Sequence, residues 1–242
     1  MHRPAAPPVH RVPPFRMISF LKPGDDSETV VLSDRQREEL AYIGTRVRLP
    51  ARMTIYRAQS PAQWVFAVAD GVVKSYRELP SGRRHVALFL FPRDLFGLAA
   101  NGLYVNSAQA ITRVTLYRFP VNALAVLLKR DGDMQFAFLA KVTHELRESQ
   151  RRAILLNRRD AAGRLATFIA RMDERLNGRA TGTCTVDMPM TRSDIAGFLG
   201  LSLETVSRAA ADLERRGLVK FETRHFVRIV DPAGLARLVA AI

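Results

Sequence analysis

Residues 191–217, TRSDIAGFLGLSLETVSRAAADLERRG, read as a helix, a tight turn and a second helix. Thr191 and Asp194 have capping-box spacing, with Asp in the place usually held by Glu or Gln. Ile195, Ala196 and Leu199 give the first helix its apolar stripe, and Ala196 is small where two helices must approach. Gly200 falls where the chain must reverse, a position needing φ > 0 that glycine adopts without steric cost. Ser202 is placed to cap the second helix. Val206, Ala210 and Leu213 then recur at i, i+4 and i+7 and face inward, which leaves Leu203, Glu204, Ser207, Arg208 and Ala211 outward. Gly217 ends the helix.

The outward strip lies near a helix N-terminus and carries groups that read base edges in a major groove. Arg bonds guanine O6 and N7 together, Glu accepts from cytosine N4, and a short or apolar side chain meets a thymine methyl. Residues 218–231, LVKFETRHFVRIVD, follow at once. Val219, Phe221, Phe226, Val227 and Ile229 flank ETRH, the pattern of a hairpin. A hairpin directly after a reader helix is a wing, and its expected tip offers Lys220, Arg224 and His225 to phosphates. The plain alternative is a helical hairpin whose polar face merely meets water.

The bulk numbers agree with a polyanionic partner. Among 242 residues, 37 Lys and Arg stand against 23 Asp and Glu, a net charge of +14. Residues 151–242 hold 16 basic and 10 acidic side chains, a net of +6, so the other +8 lies in residues 1–150 and charge alone does not locate a site. A surface generally rich in Arg gives the same total. Hydrophobic content of 48% supports a core large enough for one or two domains. The single cysteine, Cys184, leaves no internal disulfide and no four-cysteine cluster, and suits the cytoplasm. The longest apolar run, VALFLF at 86–91, is too short to span a membrane. The N-terminus, MHRPAAPPVHRVPPFR, lacks the apolar run of a secretory signal.

Upstream, residues 1–30 read as a loose arm and SDRQREELAYI at 33–43 as a short helix capped by Ser33 or Asp34. From 46 to about 126 the chain reads as short strands: RVRLP, MTIYRA, WVFAVADG, VVKSYREL, HVALFLF and AQAITRVTLYRF, separated by Pro and Gly turn signals. That spacing indicates an antiparallel sandwich or roll. From 131 the period becomes seven. Gln135, Leu139, Val142, Leu146, Ser149, Ala153 and Leu156 alternate spacings of four and three, as in a coiled-coil seam of about three heptads. A long helix packed on its own sheet is the alternative. Leu165, Phe168, Ile169 and Met172 then mark one face of a further helix.

The order of roll, long helix and winged helix resembles the CRP/FNR superfamily of bacterial transcription regulators. In the roll the resemblance rests on residues 66–97, FAVADGVVKSYRELPSGRRHVALFLFPRDLFG; in the DNA domain, on Glu204, Ser207 and Arg208 in the E-x-x-S-R pattern of the FNR-like branch. It implies an α+β chain: arm 1–30, antiparallel β-roll 31–130, dimerisation helix 131–158 and winged helix-turn-helix 159–242. It also implies a homodimer on double-stranded DNA, reading a TTGAT-type palindrome and activating with RNA polymerase. Arg208 would meet the guanine and Glu204 the opposing cytosine, with Leu203 and Ser207 beside them. Thr191, Arg192 and Ser202 would hold phosphates, as would Lys220 and Arg224 of the wing. Leu139, Val142, Leu146, Ala153 and Leu156 would form the dimer seam.

Two departures narrow the resemblance. The arm has none of the cysteines of oxygen-sensing members. Gly97 is followed by Leu98 rather than Glu, and Asn106-Ser107 replaces the Arg-Ser pair that holds a cyclic phosphate, so no bidentate partner is present. The remaining pattern resembles FixK-type regulators of low-oxygen respiration or nitrogen metabolism. No cofactor, metal site or membrane contact is expected, nor any catalytic activity; no P-loop, nucleophile elbow or HExxH occurs. The five histidines show no ligand spacing. A haem, nitric-oxide or other small effector held by the roll, around Tyr104 and Asp94, is the competing reading. Cys184 reads either as a small core residue or as a redox handle.

Overall fold

The computed structural model describes residues 33–99, 101–157, 160–177 and 185–240. The arm expected at 1–30 and Cys184 lie outside the described residues.

Helix α1 (Asp34–Ile43) starts on a capping box: Ser33 accepts from the Gln36 amide, and the Gln36 side chain accepts from the Ser33 amide. Eight strands follow: β1 (Thr45–Leu49), β2 (Thr54–Tyr56), β3 (Trp64–Asp70), β4 (Val73–Glu78), β5 (Arg84–Leu90), β6 (Leu95–Phe96), β7 (Ser107–Ala110) and β8 (Val114–Pro120). They form two four-stranded sheets, ordered β1-β8-β3-β6 and β2-β7-β4-β5. Gly71, at φ 82°, turns the chain from β3 into β4; an added Cβ would lie 2.2 Å from the Arg113 carbonyl oxygen, so only glycine fits there.

Two elements depart from the pattern expected of the sequence. The stretch AQAITRVTLYRF, expected as one strand, is two, because Ile111 and Thr112 turn aside to bond Val72. The chain after Pro120 is helix α2 (Val121–Arg130) rather than the tail of the strand region.

Alternation on the sheet sets its faces. Val65 pairs with Phe119 and Ala67 with Tyr117, and these four turn toward the helices. With Leu40, Leu95, Leu124, Met134, Ala137 and Phe138 they make one core. Each large apolar side chain buried in it contributes about 1.5–3 kcal/mol. On the opposite face Phe66 and Phe96 stack on each other and on Tyr56 of the second sheet, which stacks in turn on Tyr104 with centroids 3.7 Å apart.

Helix α3 (Gly132–Asn157) begins where Asp131 accepts from the Met134 amide. It is two-sided. Met134, Ala137, Phe138 and Ala140 are buried, whereas Leu139, Val142 and Leu146 are 59%, 47% and 59% exposed. Helix α4 (Ala161–Asn177) is capped by Asp160 and buries Leu165, Phe168, Ile169 and Met172. The remaining elements are β9 (Thr185–Asp187), α5 (Arg192–Leu199), α6 (Leu203–Arg215), β10 (Val219–Phe221), β11 (Phe226–Ile229) and α7 (Pro232–Ala240).

The chain makes two compact units. One holds the residues up to Ser75 together with Phe89–Arg147; the other holds Tyr76–Leu88 together with the residues from Glu148 on.

Candidate nucleic-acid interface

The helix pair is built as its residues dictate. Thr191 accepts from the Asp194 amide at 3.1 Å, and Asp194 accepts in return from the Thr191 amide and hydroxyl. Ile195, Ala196 and Leu199 are buried. Gly200 closes α5 in the left-handed region at φ 65°, and the Leu201 amide donates back to the Ala196 carbonyl. Ser202 then caps α6 by accepting from the Thr205 amide at 3.0 Å. Val206, Ala209, Ala210 and Leu213 face the core; Ala209 joins the three expected there.

The opposite strip of α6 meets solvent. Leu203 is 53% exposed, and the Glu204 and Arg208 side chains are 79% and 71% exposed, paired only loosely with each other at 3.8 Å. Ser207, half-buried, donates to the Leu203 carbonyl one turn back. Glu204 sits in the first turn, where the helix dipole favours an anion. The four residues thus share one face across one turn, the spacing that lets neighbouring side chains address adjacent base pairs.

The wing forms as a hairpin with Val219 opposite Ile229 and Phe221 opposite Val227. Strand β9 adds to its far edge as a third strand, pairing Val186 with Val227. Arg224 is exposed in the turn. Lys220 is exposed on the strand β10 opposite Arg228, not at the tip where the sequence pattern placed it, because the turn closes only at Glu222–His225. His225 is tied to Met188, just past β9: its carbonyl accepts from the Met188 amide, and its Nδ1 lies 3.3 Å from the Met188 carbonyl. Arg192 is exposed at the start of α5 with its guanidinium 5.9 Å from the Phe221 ring. One support has no sequence signal. Glu214 on α6 accepts from the Phe221 amide at 2.8 Å and ties the hairpin to that helix.

Of the residues expected along the long helix, Leu139, Val142, Leu146 and Ala153 are exposed. Leu156 is half-buried, and its Cδ2 lies 3.5 Å from where a Cβ on Gly200 would stand. In the roll, Ser107 accepts from the Ala58 amide, and Asp94 accepts from the Phe91 amide. The Tyr104 hydroxyl donates to the Trp64 carbonyl and accepts from its amide. Burial raises the Tyr104 pKa above the ordinary phenol value, opposed by the Trp64 bond. Arg118 stacks over Trp64 at 4.4 Å. Among the described residues no group of three His, Cys, Asp or Glu is placed to hold a metal ion, and no helix is long and apolar enough to cross a membrane.

Residues 163–238 match the Crp-like helix-turn-helix domain, and residues 46–131 the cyclic nucleotide-binding domain. Over 210 residues the chain is 33% identical to the transcriptional activatory protein AadR of Rhodopseudomonas palustris, covering 87% of each. The chain belongs to the CRP/FNR family of regulators. Within that family it is also 31% identical to the nitrogen fixation regulation protein FixK of Bradyrhizobium diazoefficiens, over 87% of this chain and 88% of the relative. The solved structure of FixK2 from Bradyrhizobium japonicum superposes with a TM-score of 0.76 at 32% identity, covering 83% of this chain and 99% of that one. The antiparallel roll, the helices and the C-terminal helix-turn-helix are the CRP/FNR fold.

Proposed function

We propose that the chain is a homodimeric, sequence-specific DNA-binding activator of low-oxygen or nitrogen-metabolism genes, acting in the cytoplasm with RNA polymerase and without catalysis. The exposed strip Leu203, Glu204, Ser207 and Arg208, beside a wing carrying cations, is the observation that carries this reading. The relatives AadR and FixK, by their names an activator and a nitrogen-fixation regulator, support the pathway. Arg208 reads the guanine and Glu204 the paired cytosine of a TTGAT half-site. Thr191, Arg192, Ser202, Lys220 and Arg224 hold phosphates. Leu139, Val142, Leu146 and Ala153 pair two copies along α3, supported by an apolar strip left open opposite the buried face.

The working division is arm 1–30, roll 31–130, dimer helix 131–158 and DNA domain 159–242. The stacked rings of Tyr56, Phe66, Phe96 and Tyr104 fill the face where an effector would sit, which favours a scaffolding roll over a ligand-gated one.

Binding of the purified chain to a TTGAT-type palindrome, and to one with the G·C pairs exchanged for A·T, tests the proposal. The intact palindrome is expected to bind at least about tenfold more tightly, each lost pair costing about 1–3 kcal/mol. The logarithm of affinity should fall linearly with that of salt. Equal affinity for both duplexes overturns the reading.

A further inference from the structure

We propose that Arg83, at the end of the β4–β5 turn, is a positioning residue for DNA recognition: it grips the turn that launches α6 and does not itself meet DNA. The inference rests on the reading above, that α6 is the reader. Its ground lies within the unit formed by Tyr76–Leu88 and the residues from Glu148 on.

The turn between α5 and α6 exposes carbonyls at a helix end, groups that need donors and favour cations. Two arginines supply them. Arg164 of α4 donates through Nη1 to the Leu199 carbonyl at 3.1 Å, and Arg83 donates through Nη2 to the Leu201 carbonyl at 3.0 Å. The hairpin also approaches α5 itself: a Cβ added to Gly197 would stand 2.5 Å from the Arg84 carbonyl oxygen and 3.3 Å from Val86. Leu156, from the end of α3, lies against Gly200 on the same turn. Segments distant in sequence therefore converge on residues 197–201.

The hairpin is stiff enough to act as a prop. Its turn is closed by the Leu79 amide bonding the Arg83 carbonyl and the Gly82 amide bonding the Leu79 carbonyl. Arg84 pairs with Glu78 at 3.1 Å and stacks over Tyr76. With this contact in place, Glu204 and Arg208 remain exposed. The grip thus lies behind the reading strip and does not cover it. It sets the direction of α6, and base readout tolerates displacements of only about 0.5 Å in its donors.

Arg83→Ala, Arg83→Lys and Gly197→Ala in the full chain test this on the TTGAT palindrome and on a random duplex, across a salt series. Arg83→Ala should weaken palindrome binding about three- to tenfold, the net range of one intramolecular hydrogen bond on an exposed turn. Its salt slope should equal wild type, and Arg83→Lys, which keeps a donor, should recover most of the loss. Gly197→Ala keeps Arg83 but forces the hairpin off α5. The overlap is with a backbone oxygen and outweighs alanine's helix preference, so the variant's melting temperature should fall somewhat, and its affinity, measured where the variant is folded, should fall as well. A salt slope lower by about one in Arg83→Ala would make Arg83 a phosphate contact and overturn the inference. So would unchanged or tighter binding in both Ala variants while wild type still discriminates the palindrome. Failure of wild type to discriminate instead overturns the DNA-reading proposal.

Discussion

The roll and the reader helix treat polar side chains in opposite ways. In the roll, the hydroxyls of Tyr104, Ser107 and Thr112 and the carboxylate of Asp94 all bond nearby backbone. On α6, Glu204 and Arg208 point to water and pair with each other at 3.8 Å, a distance that gives little stability. Side chains bonded to their own backbone hold a shape and have little left to offer a ligand. Exposed charges at a helix start add little to folding and remain available to a partner. The contrast fits the proposed division, support in the roll and recognition on α6, and it is open to experiment from both sides.

The largest effect is expected in the roll. Tyr104 is buried, stacks on Tyr56 at 3.7 Å and bonds Trp64 twice, so Tyr104→Ala removes ring contacts and orphans backbone groups together. Urea unfolding should show a loss of about 3–5 kcal/mol, the range for removing a large buried aromatic side chain. Under conditions where the variant stays folded, its preference for the palindrome should match wild type. Loss of that preference in a folded variant would break the contrast, because the roll would then carry recognition.

Arg208→Ala is the converse. It should lower affinity for the intact half-site by about 1–3 kcal/mol and leave a duplex altered at the guanine almost unaffected. Its unfolding free energy should stay within about 0.5 kcal/mol of wild type, as for surface substitutions in general. A uniform loss on every duplex would make Arg208 a phosphate contact and remove the basis for assigning it a base.

The reader unit was legible because its signals are local. Thr191, Asp194, Gly200 and Ser202 each act within a few residues, and the apolar period of α6 lies within one helix. The strands of the roll were legible from alternation, but not their breaks. The division between β7 and β8 depends on Ile111 and Thr112 bonding Val72, about forty residues away. Helix α2 was missed because it follows a strand directly at Pro120, with no side-chain cap to announce it. At the site, the strip on α6 was readable, whereas Glu214 beneath the wing and Arg83 on the turn were not. The Arg83 bond spans 118 residues, and no spacing rule reports a contact of that range.

The smallest effect lies between these regions of legibility, at Asp131. Its carboxylate accepts from the Met134 amide at 2.8 Å and from the Gln36 side chain at 3.1 Å on both oxygens, so it caps α3 and anchors α1 together. The Met134 bond foremost, then the Gln36 bond, hold its pKa below the usual carboxylate value. A depressed folded value means that the ionised group stabilises the fold above about pH 4, and that this share is lost as pH falls through the folded value. Asp131→Ala should therefore cost about 0.5–2 kcal/mol near neutral pH, the range for a helix cap, and less as the medium is acidified. Unfolding followed from pH 7 down to about pH 2.5 checks the sign, since the wild-type and variant curves should converge toward acid. Curves that stay parallel would show that the carboxylate charge has no part in joining α1 to α3. Reading DNA with the same variant at neutral pH sharpens the opening contrast, because a cap in the supporting part of the molecule should leave base preference unchanged.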